Sequence, residues 1–469
     1  MSEFPASAFI EVAKSSFGFE MTENQQHALQ VFTDYIQEED PSVFVLTGFA
    51  GTGKSSLVAH LIKTLKLYRI HSRLLAPTGR AAKVFSGFAG AQALTIHKQI
   101  YFSGNEVDGS KPTLGFNRYK NTLFFVDECS MISGFDFNEG TNVLEDLITF
   151  VRNGQNCKLV FIGDNGQLPP VGQDESPVFS MDFWQEHFPF LKIYHASLKQ
   201  VVRTGASSAI LENATFIRSL DDYDEPLFPY IDGKEVFRVS GLEVQEFLEQ
   251  AYSESGQDET VVLTMSNKRA NKWNQEIRNR LLYREELLER GDFMMVVKNN
   301  YFWLDPQSSA GFIANGEFFR ITRVDKVEQQ YGFDFAHLRI RFLNTEDDNE
   351  HKVIVLLEAI LSDSANLPRS RMKELFFEIE KDYAHERNKK KRYASILKNH
   401  YFNALQVKYA NAVTVHKAQG GQWENVFVDY GFVPDEMKNF GYLRWLYTAV
   451  TRATKRLYLI NFPEELFTT

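Results

Sequence analysis

The segment SVFVLTGFAGTGKSSLVAHLIKTL, residues 42–65, passes from a short apolar run through a glycine-rich stretch into a helical apolar pattern. Val43 to Thr47 has strand composition, and Leu57, Leu61, Ile62 and Leu65 recur at helical spacing. A strand that feeds a helix through a tight loop is the opening unit of an open α/β sheet. Gly48, Gly53, Lys54 and Ser55 fit the pattern GxxxxGK[ST]. The chemistry requires these residue types. Glycines let backbone N–H groups approach phosphate oxygens, and the helix N-terminus adds favourable partial charge. Lys54 reaches the β and γ phosphates and Ser55 ligates Mg²⁺. ATP is the expected ligand, cradled by Gly48, Gly51, Thr52, Gly53, Lys54, Ser55 and Ser56.

Such a loop needs an acidic partner for the metal, and LFFVDECSM supplies one. Leu123 to Val126 reads as a buried strand that delivers Asp127 and Glu128 at its C-terminal end, where open parallel sheets place their ligands. Asp127 is expected to share Mg²⁺ with Ser55 through the water shell, and Glu128 to orient and deprotonate the attacking water. A third strand, Lys158 to Ile162, runs into GDNGQLPPV and sets Asp164 and Gln167 just past its end. Gln167 is placed to sense the γ-phosphate, although the same segment also reads as a proline-stiffened turn.

The chain has 469 residues, enough for roughly three or four units, so clefts between domains are expected. Its net charge of −10 excludes a surface that grips nucleic acid everywhere and confines any polyanion to a local groove. No signal sequence and no run of about 20 apolar residues is present, so no membrane partner is expected. The two cysteines, Cys129 and Cys157, form no metal motif and suit a reducing, cytoplasmic setting, nucleoid-associated in a bacterium. The 41 phenylalanines read chiefly as core.

Further motifs make the series resemble superfamily 1 helicases, in the 1B branch of the RecD and Dda type. Met21-Thr22-Glu23-Asn24-Gln25 resembles that family's Q motif, which implies Gln25 as an adenine contact. APTGRAAKV, from Ala76 to Val84, resembles motif Ia, and Thr95-Ile96-His97-Lys98 motif Ib, which implies Pro77, Thr78 and His97 as nucleic-acid contacts. LKQVVRT, from Leu198 to Thr204, resembles motif IV and implies Arg203 as a phosphate-facing arginine. Ala410 to Gly431 resembles motif V, with Thr414 and His416 implied on the DNA side and Gln419 and Gly420 towards the nucleotide. Trp445 to Ile460 resembles motif VI and implies Arg452 as the arginine finger.

The resemblance implies a fold class of α/β with two RecA-like P-loop domains, a small hairpin insertion and an SH3-like β-barrel insertion. Expected boundaries are residues 1–195 for the first RecA-like domain, with a pin-like insertion at 99–122, and 196–290 with 406–469 for the second. Residues 291–405 are expected to hold the barrel and a basic helical segment. Within the pin, Phe102, Phe116 and Tyr119 are candidates to stack on bases, and an ordinary solvated loop is the alternative. Arg387, Lys389, Lys390, Lys391, Arg392 and Lys398 form a basic surface for nucleic acid or a partner, or simply a solvated helix face.

Lys54, Asp127 and Glu128 lie far along the chain from Arg452, so both sets reach the same phosphates only if two domains close on ATP. Closure would then follow the nucleotide and ratchet a gripped strand. The expected function is an ATP-dependent DNA helicase on single-stranded DNA and on single-strand/duplex junctions, moving 5′ to 3′ by resemblance alone. Alternatives are a translocase acting on RNA or displacing proteins, and an ATP-dependent switch for a protein partner. A monomer is expected, with replication or repair proteins as possible partners. The chain starts almost at the Q motif and stops soon after motif VI, so no appended nuclease or polymerase domain is expected.

Overall fold

A computed structural model describes residues 4–102, 113–134, 142–202, 208–304, 312–343 and 349–468. Two parallel sheets organise the chain. The first has six strands in the order Ala93–Thr95, His71–Ala76, Thr122–Val126, Lys158–Gly163, Ser42–Gly48, Lys192–Leu198, and every pair is parallel. Parallel strands covered by helices on both faces need continuous apolar sequence. TLFFV and KLVFIG are accordingly buried at every position. Two apolar clusters flank this sheet: one is centred on Phe32, Phe44 and Phe125, the other on Phe124, Phe161 and Trp184.

The second sheet has five parallel strands in the order Ala412–Thr414, Thr260–Thr264, Trp423–Asp429, Ala453–Ile460, Val236–Val239. A third sheet interrupts it in sequence. It is antiparallel, ordered His351–Leu356, Phe333–Phe342, Phe318–Gln330, Phe293–Val296, Val407–Tyr409. The helices Arg369–Asp382 and Lys389–Leu397 cover part of this sheet through Leu375, Ile379 and Ile396, packed on Phe333 and Phe335. Phe293, Met295 and Phe318 join the core of the second sheet, so the insertion and that sheet share one apolar interior.

Two sheets straddle expected boundaries. The strand Lys192–Leu198 stays paired with the first sheet as far as Leu198, because Ser197 and Leu198 continue the parallel register on Thr47 and Gly48. The boundary at 195 would cut that strand in the middle. The third sheet likewise keeps Val407–Tyr409, paired with Phe293–Val296, beyond residue 405. Between the helix Ile96–Ile100 and the strand Thr122–Val126, Tyr101–Phe102 pairs antiparallel with Thr113–Leu114. No helix among the described residues is long and apolar enough to cross a membrane.

Candidate active site

The strand Ser42–Gly48 ends in the phosphate-binding loop, and the helix Lys54–Leu67 begins immediately after it. Gly51 and Gly53 have φ of 76° and 80°, a region that side chains avoid. A Cβ on Gly53 would also stand 2.6 Å from Gln25 Nε2. Lys54 Nζ donates to the carbonyls of Gly48 at 2.6 Å and Phe49 at 2.8 Å, which holds the ammonium over the loop.

Gln25 caps the neighbouring helix Glu23–Gln37. Its Oε1 accepts from Thr22 N–H and its Nε2 donates to Thr52 O at 3.3 Å, so the amide braces the loop. Both ends of this buried side chain are thereby engaged. The structure places Gln25 against the loop backbone, as a brace for residues 52 and 53.

Asp127 and Glu128 follow the strand Thr122–Val126. Asp127 Oδ1 accepts from Glu128 N–H at 2.9 Å. Burial, reinforced by the neighbouring Glu128 charge, pushes the Asp127 carboxyl up to about 7, and Lys54 and Arg452 offset this. Glu128 itself has a φ of 53°, a left-handed conformation that costs a non-glycine residue about 1–3 kcal/mol and turns the chain into the short helix Cys129–Met131. Among the described residues no three His, Cys, Asp or Glu side chains converge as a metal cage. The hard oxygen donors Ser55 and Asp127 fit Mg²⁺, which takes one or two carboxylates and completes its shell from water and substrate phosphates.

Arg452 comes from the second sheet and approaches from the other side. It is buried, with Nη1 3.9 Å from Glu128 Oε1. Its Nε donates to Thr448 O, Nη1 to Gly421 O and Nη2 to Thr451 Oγ1, each at 3.1 Å, so the guanidinium is aimed before any ligand arrives. Gly420, with φ 71°, lies where a Cβ would stand 2.6 Å from Ala81 Cβ and 3.6 Å from Glu128 Cγ. Only glycine lets the motif V loop come this close to the first domain. Gln167 is buried beside them, and its Oε1 has no hydrogen-bond partner.

The helix Phe440–Val450 supplies residues that the sequence reading did not single out. Tyr447 Oη accepts from Ala50 N–H and donates to Asp164. Thr448 Oγ1 accepts from Leu168 N–H, whose carbonyl takes Gln419 Nε2 at 2.7 Å. Arg444 donates to the carbonyls of Asn165, Gln167 and Asp174. A second bridge joins the domains at Arg80 of motif Ia, which donates to Gln422 O at 2.7 Å and lies 3.8 Å over the Trp423 ring. Burial lowers the Arg80 guanidinium to about 10.

The remaining expected contacts range from exposed to buried. Thr78 caps the helix Gly79–Ala89 through Ala81 N–H, and Pro77 precedes it. Partly buried His97 packs on Tyr101 with ring centroids 5.5 Å apart. Thr414 is buried at the end of its strand, and burial holds the His416 imidazole below its ordinary value. Phe116 is 71% exposed. Tyr119, by contrast, is no free stacking surface: Arg73 covers its ring at 4.6 Å and its edge meets Phe124 in the core. Ser56 is exposed on the loop helix. Arg203 and the side chain of Phe102 lie outside the described residues.

Residues 34–173 match the family model described as an AAA domain, and residues 409–460 match that of the UvrD-like helicase C-terminal domain. An uncharacterized protein of Acanthamoeba polyphaga mimivirus is 23% identical over 92% of this chain and 98% of its own length. The ATP-dependent DNA helicase Dda of Enterobacteria phage T4 is 26% identical over 68% of this chain and 70% of its own length. Among solved structures, the Pif1 helicase from Bacteroides in complex with ADP-AlF3 and single-stranded DNA aligns at 15% identity, covering 96% of this chain and 95% of that one, with a TM-score of 0.47. With the P-loop and Asp127-Glu128 inside the first matched segment and Arg452 inside the second, these matches support a superfamily 1B helicase similar to the RecD and Dda type.

Proposed function

We propose that the chain is an ATP-dependent DNA helicase whose hydrolytic site is the cleft between its two parallel sheets. The observation that carries this is Arg452 of the second sheet aimed at Glu128 of the first, across a P-loop whose lysine is already in place. A hydrolytic site split between two domains makes closure depend on the nucleotide, and closure is what moves a gripped strand.

In this reading Lys54 and the loop amides bind the phosphates, and Ser55 with Asp127 holds Mg²⁺, which would neutralise phosphate charge. Glu128 accepts a proton from the attacking water. Arg452 stabilises charge on the transferring phosphoryl group, a role worth on the order of 10³–10⁵ in rate for arginine fingers. Arg203 is assigned the second phosphate-facing arginine. Gln167, with its unpartnered oxygen, answers to the γ-phosphate. Single-stranded DNA crosses both domains over Pro77, Thr78, His97, Thr414 and His416, moving 5′ to 3′. The exposed ring of Phe116, beside the pair Tyr101–Phe102 and Thr113–Leu114, acts as the pin at a single-strand/duplex junction. The antiparallel sheet between Phe293 and Tyr409 serves as the SH3-like insertion on the second RecA-like domain, and the chain works as a monomer.

The test is ATP turnover with and without single-stranded DNA, alongside strand separation on duplexes with only a 5′ or only a 3′ tail. Stimulated turnover with separation of the 5′-tailed duplex is expected. Turnover indifferent to DNA would remove the helicase reading, and separation of the 3′-tailed duplex alone would reverse the polarity.

A further inference from the structure

Tyr447 is buried in the helix Phe440–Val450, and its hydroxyl bridges two loops of the other domain. It accepts from Ala50 N–H of the P-loop at 2.8 Å and donates to Asp164 Oδ2 at 2.6 Å. Asp164 is buried as well, and its Oδ1 takes Gly166 N–H at 2.9 Å, so this carboxylate shapes the turn that carries Gln167. The ring is boxed in: a Cβ on Gly166 would stand 3.2 Å from Tyr447 Cε1 and 3.4 Å from Phe49 Cδ1. Burial and the Asp164 charge hold the phenol well above its ordinary value, so at neutral pH it remains a hydrogen-bond donor.

The neighbours on the helix reach the same turn. Arg444 and Thr448 lie three residues before and one after Tyr447, on one helical face, and both bond the backbone between Asn165 and Asp174. A movement of Tyr447 is therefore a movement of the Gln167 turn against the P-loop. Backbone N–H groups of a P-loop are phosphate donors once the loop is filled. One N–H cannot give a full hydrogen bond to both a phosphate oxygen and a phenol, since the bond weakens steeply away from linearity.

We propose that Tyr447 is a positioning residue that reads occupancy of the P-loop: its hydroxyl holds the Ala50 N–H of the empty loop, yields it to the terminal phosphate of a bound triphosphate, and passes that change through Asp164 to the Gln167 turn. This rests on the ATPase reading. A diphosphate lacks the competing phosphate and leaves the bridge in place. The two nucleotides thus favour different contacts between the domains, which is the differential interaction a conformational switch needs.

Tyr447→Phe keeps the ring and removes both hydrogen bonds. The measurement is equilibrium binding of a slowly hydrolysed ATP analogue and of ADP to the full chain, with thermal unfolding as the check on folding. The analogue is expected to bind about 2- to 10-fold tighter in the variant, the size of one net hydrogen bond, with ADP unchanged. The ratio of DNA-stimulated to basal turnover is expected to fall, because the Gln167 turn no longer follows the nucleotide. Equal shifts for both nucleotides, or none, would overturn the proposal. Asp164→Asn, which weakens the anchor of the hydroxyl without touching the ring, predicts a smaller shift of the same sign and serves if the first variant unfolds. Wild-type protein that binds neither nucleotide would instead sink the ATPase reading, whereas wild-type binding with unaltered selectivity in both variants sinks only the role of Tyr447.

Discussion

Arg452 Nη1 stands 3.9 Å from Glu128 Oε1, an arginine in the turn between the helix Phe440–Val450 and the strand Ala453–Ile460 facing a carboxylate on the loop after the strand Thr122–Val126. The pair joins the two domains at the point where hydrolysis is assigned. The guanidinium is held by three acceptors of its own domain, so it is positioned independently of Glu128. Removing either partner should thus have a distinct signature.

Glu128→Gln keeps the shape of the side chain and removes the base. ATP binding is expected to persist while turnover falls by about 10²–10⁴-fold, the range for loss of a positioned general base. Equilibrium nucleotide binding and steady-state turnover on one preparation check this, and wild-type turnover would strip Glu128 of the role.

Arg452→Ala is expected to lower kcat by on the order of 10³ with little change in the KM for ATP, because the charge it stabilises develops during transfer. Arg452→Lys separates electrostatics from packing. It keeps a cation but not the planar fork that satisfies Gly421 O and Thr451 Oγ1, so recovery should be small. A rise in KM with unchanged kcat would mean that Arg452 only binds ground-state nucleotide.

The first half of this site was legible because one strand–loop–helix carries it. Gly51 and Gly53 at positive φ, Lys54 at the helix start and the acids at a strand end are dictated by local backbone chemistry. Tyr447 and Arg444 were not legible in the same way. Tyr447 reaches Asp164 across 283 residues and Ala50 across 397, and nothing in the local sequence of its helix states which loop will pack there. Only the spacing 444, 447, 448 hinted at a shared face. Tyr119 failed as a stacking candidate for a similar reason, since Arg73 on a neighbouring strand claims its ring. The strand Lys192–Leu198 straddles the expected boundary at 195 because Ala196 and Leu198 continue both its pairing and its buried face on the first sheet.

Asp292 marks where the chain leaves the second domain for the insertion. It is buried and accepts from Arg278 Nε at 2.9 Å, Arg284 Nη1 at 2.8 Å and Glu289 N–H at 2.8 Å. Asp292→Ala leaves two guanidinium groups, one of them buried, without their counter-charge, a loss of about 3–5 kcal/mol. A clear drop in the urea midpoint is expected, and a variant as stable as the parent would show that solvent replaces the carboxylate without cost.

Phe116→Ala tests the pin. The ring is exposed, so its loss should leave folding and DNA-stimulated turnover intact. Strand separation is expected to slow, because a stacked base is worth about 1–3 kcal/mol. Equal loss of turnover and separation would implicate the motor, and no loss of either would return this segment to an ordinary surface loop.

Glu317 gives a stability prediction with a defined sign. It lies in a groove of about 730 Å³ between the helix Gly79–Ala89 and the insertion, so close that a Cβ on Gly79 would stand 2.9 Å from its Cγ. Burial raises its carboxyl from an ordinary value of 4.5 to about 7, with a backbone hydrogen bond at Ala314 and then the Lys98 charge offsetting part of the effect. Below pH 4.5 the folded and unfolded chains both carry the proton, and the group costs nothing. As pH rises through the interval up to about 7 the unfolded chain releases it first, and stability falls until the folded carboxyl also ionises. A full shift of this size would amount to ~3 kcal/mol, and the partial exposure of the side chain with Lys98 alongside reduces it to ~1 kcal/mol. Glu317→Gln has no such pH dependence of its own. Urea unfolding should therefore find the variant more stable than the parent at pH 8 and equal to it near pH 4.5. A variant that is less stable at pH 8 would mean that the attraction of the ionised carboxylate to the Lys98 charge outweighs the cost of its burial.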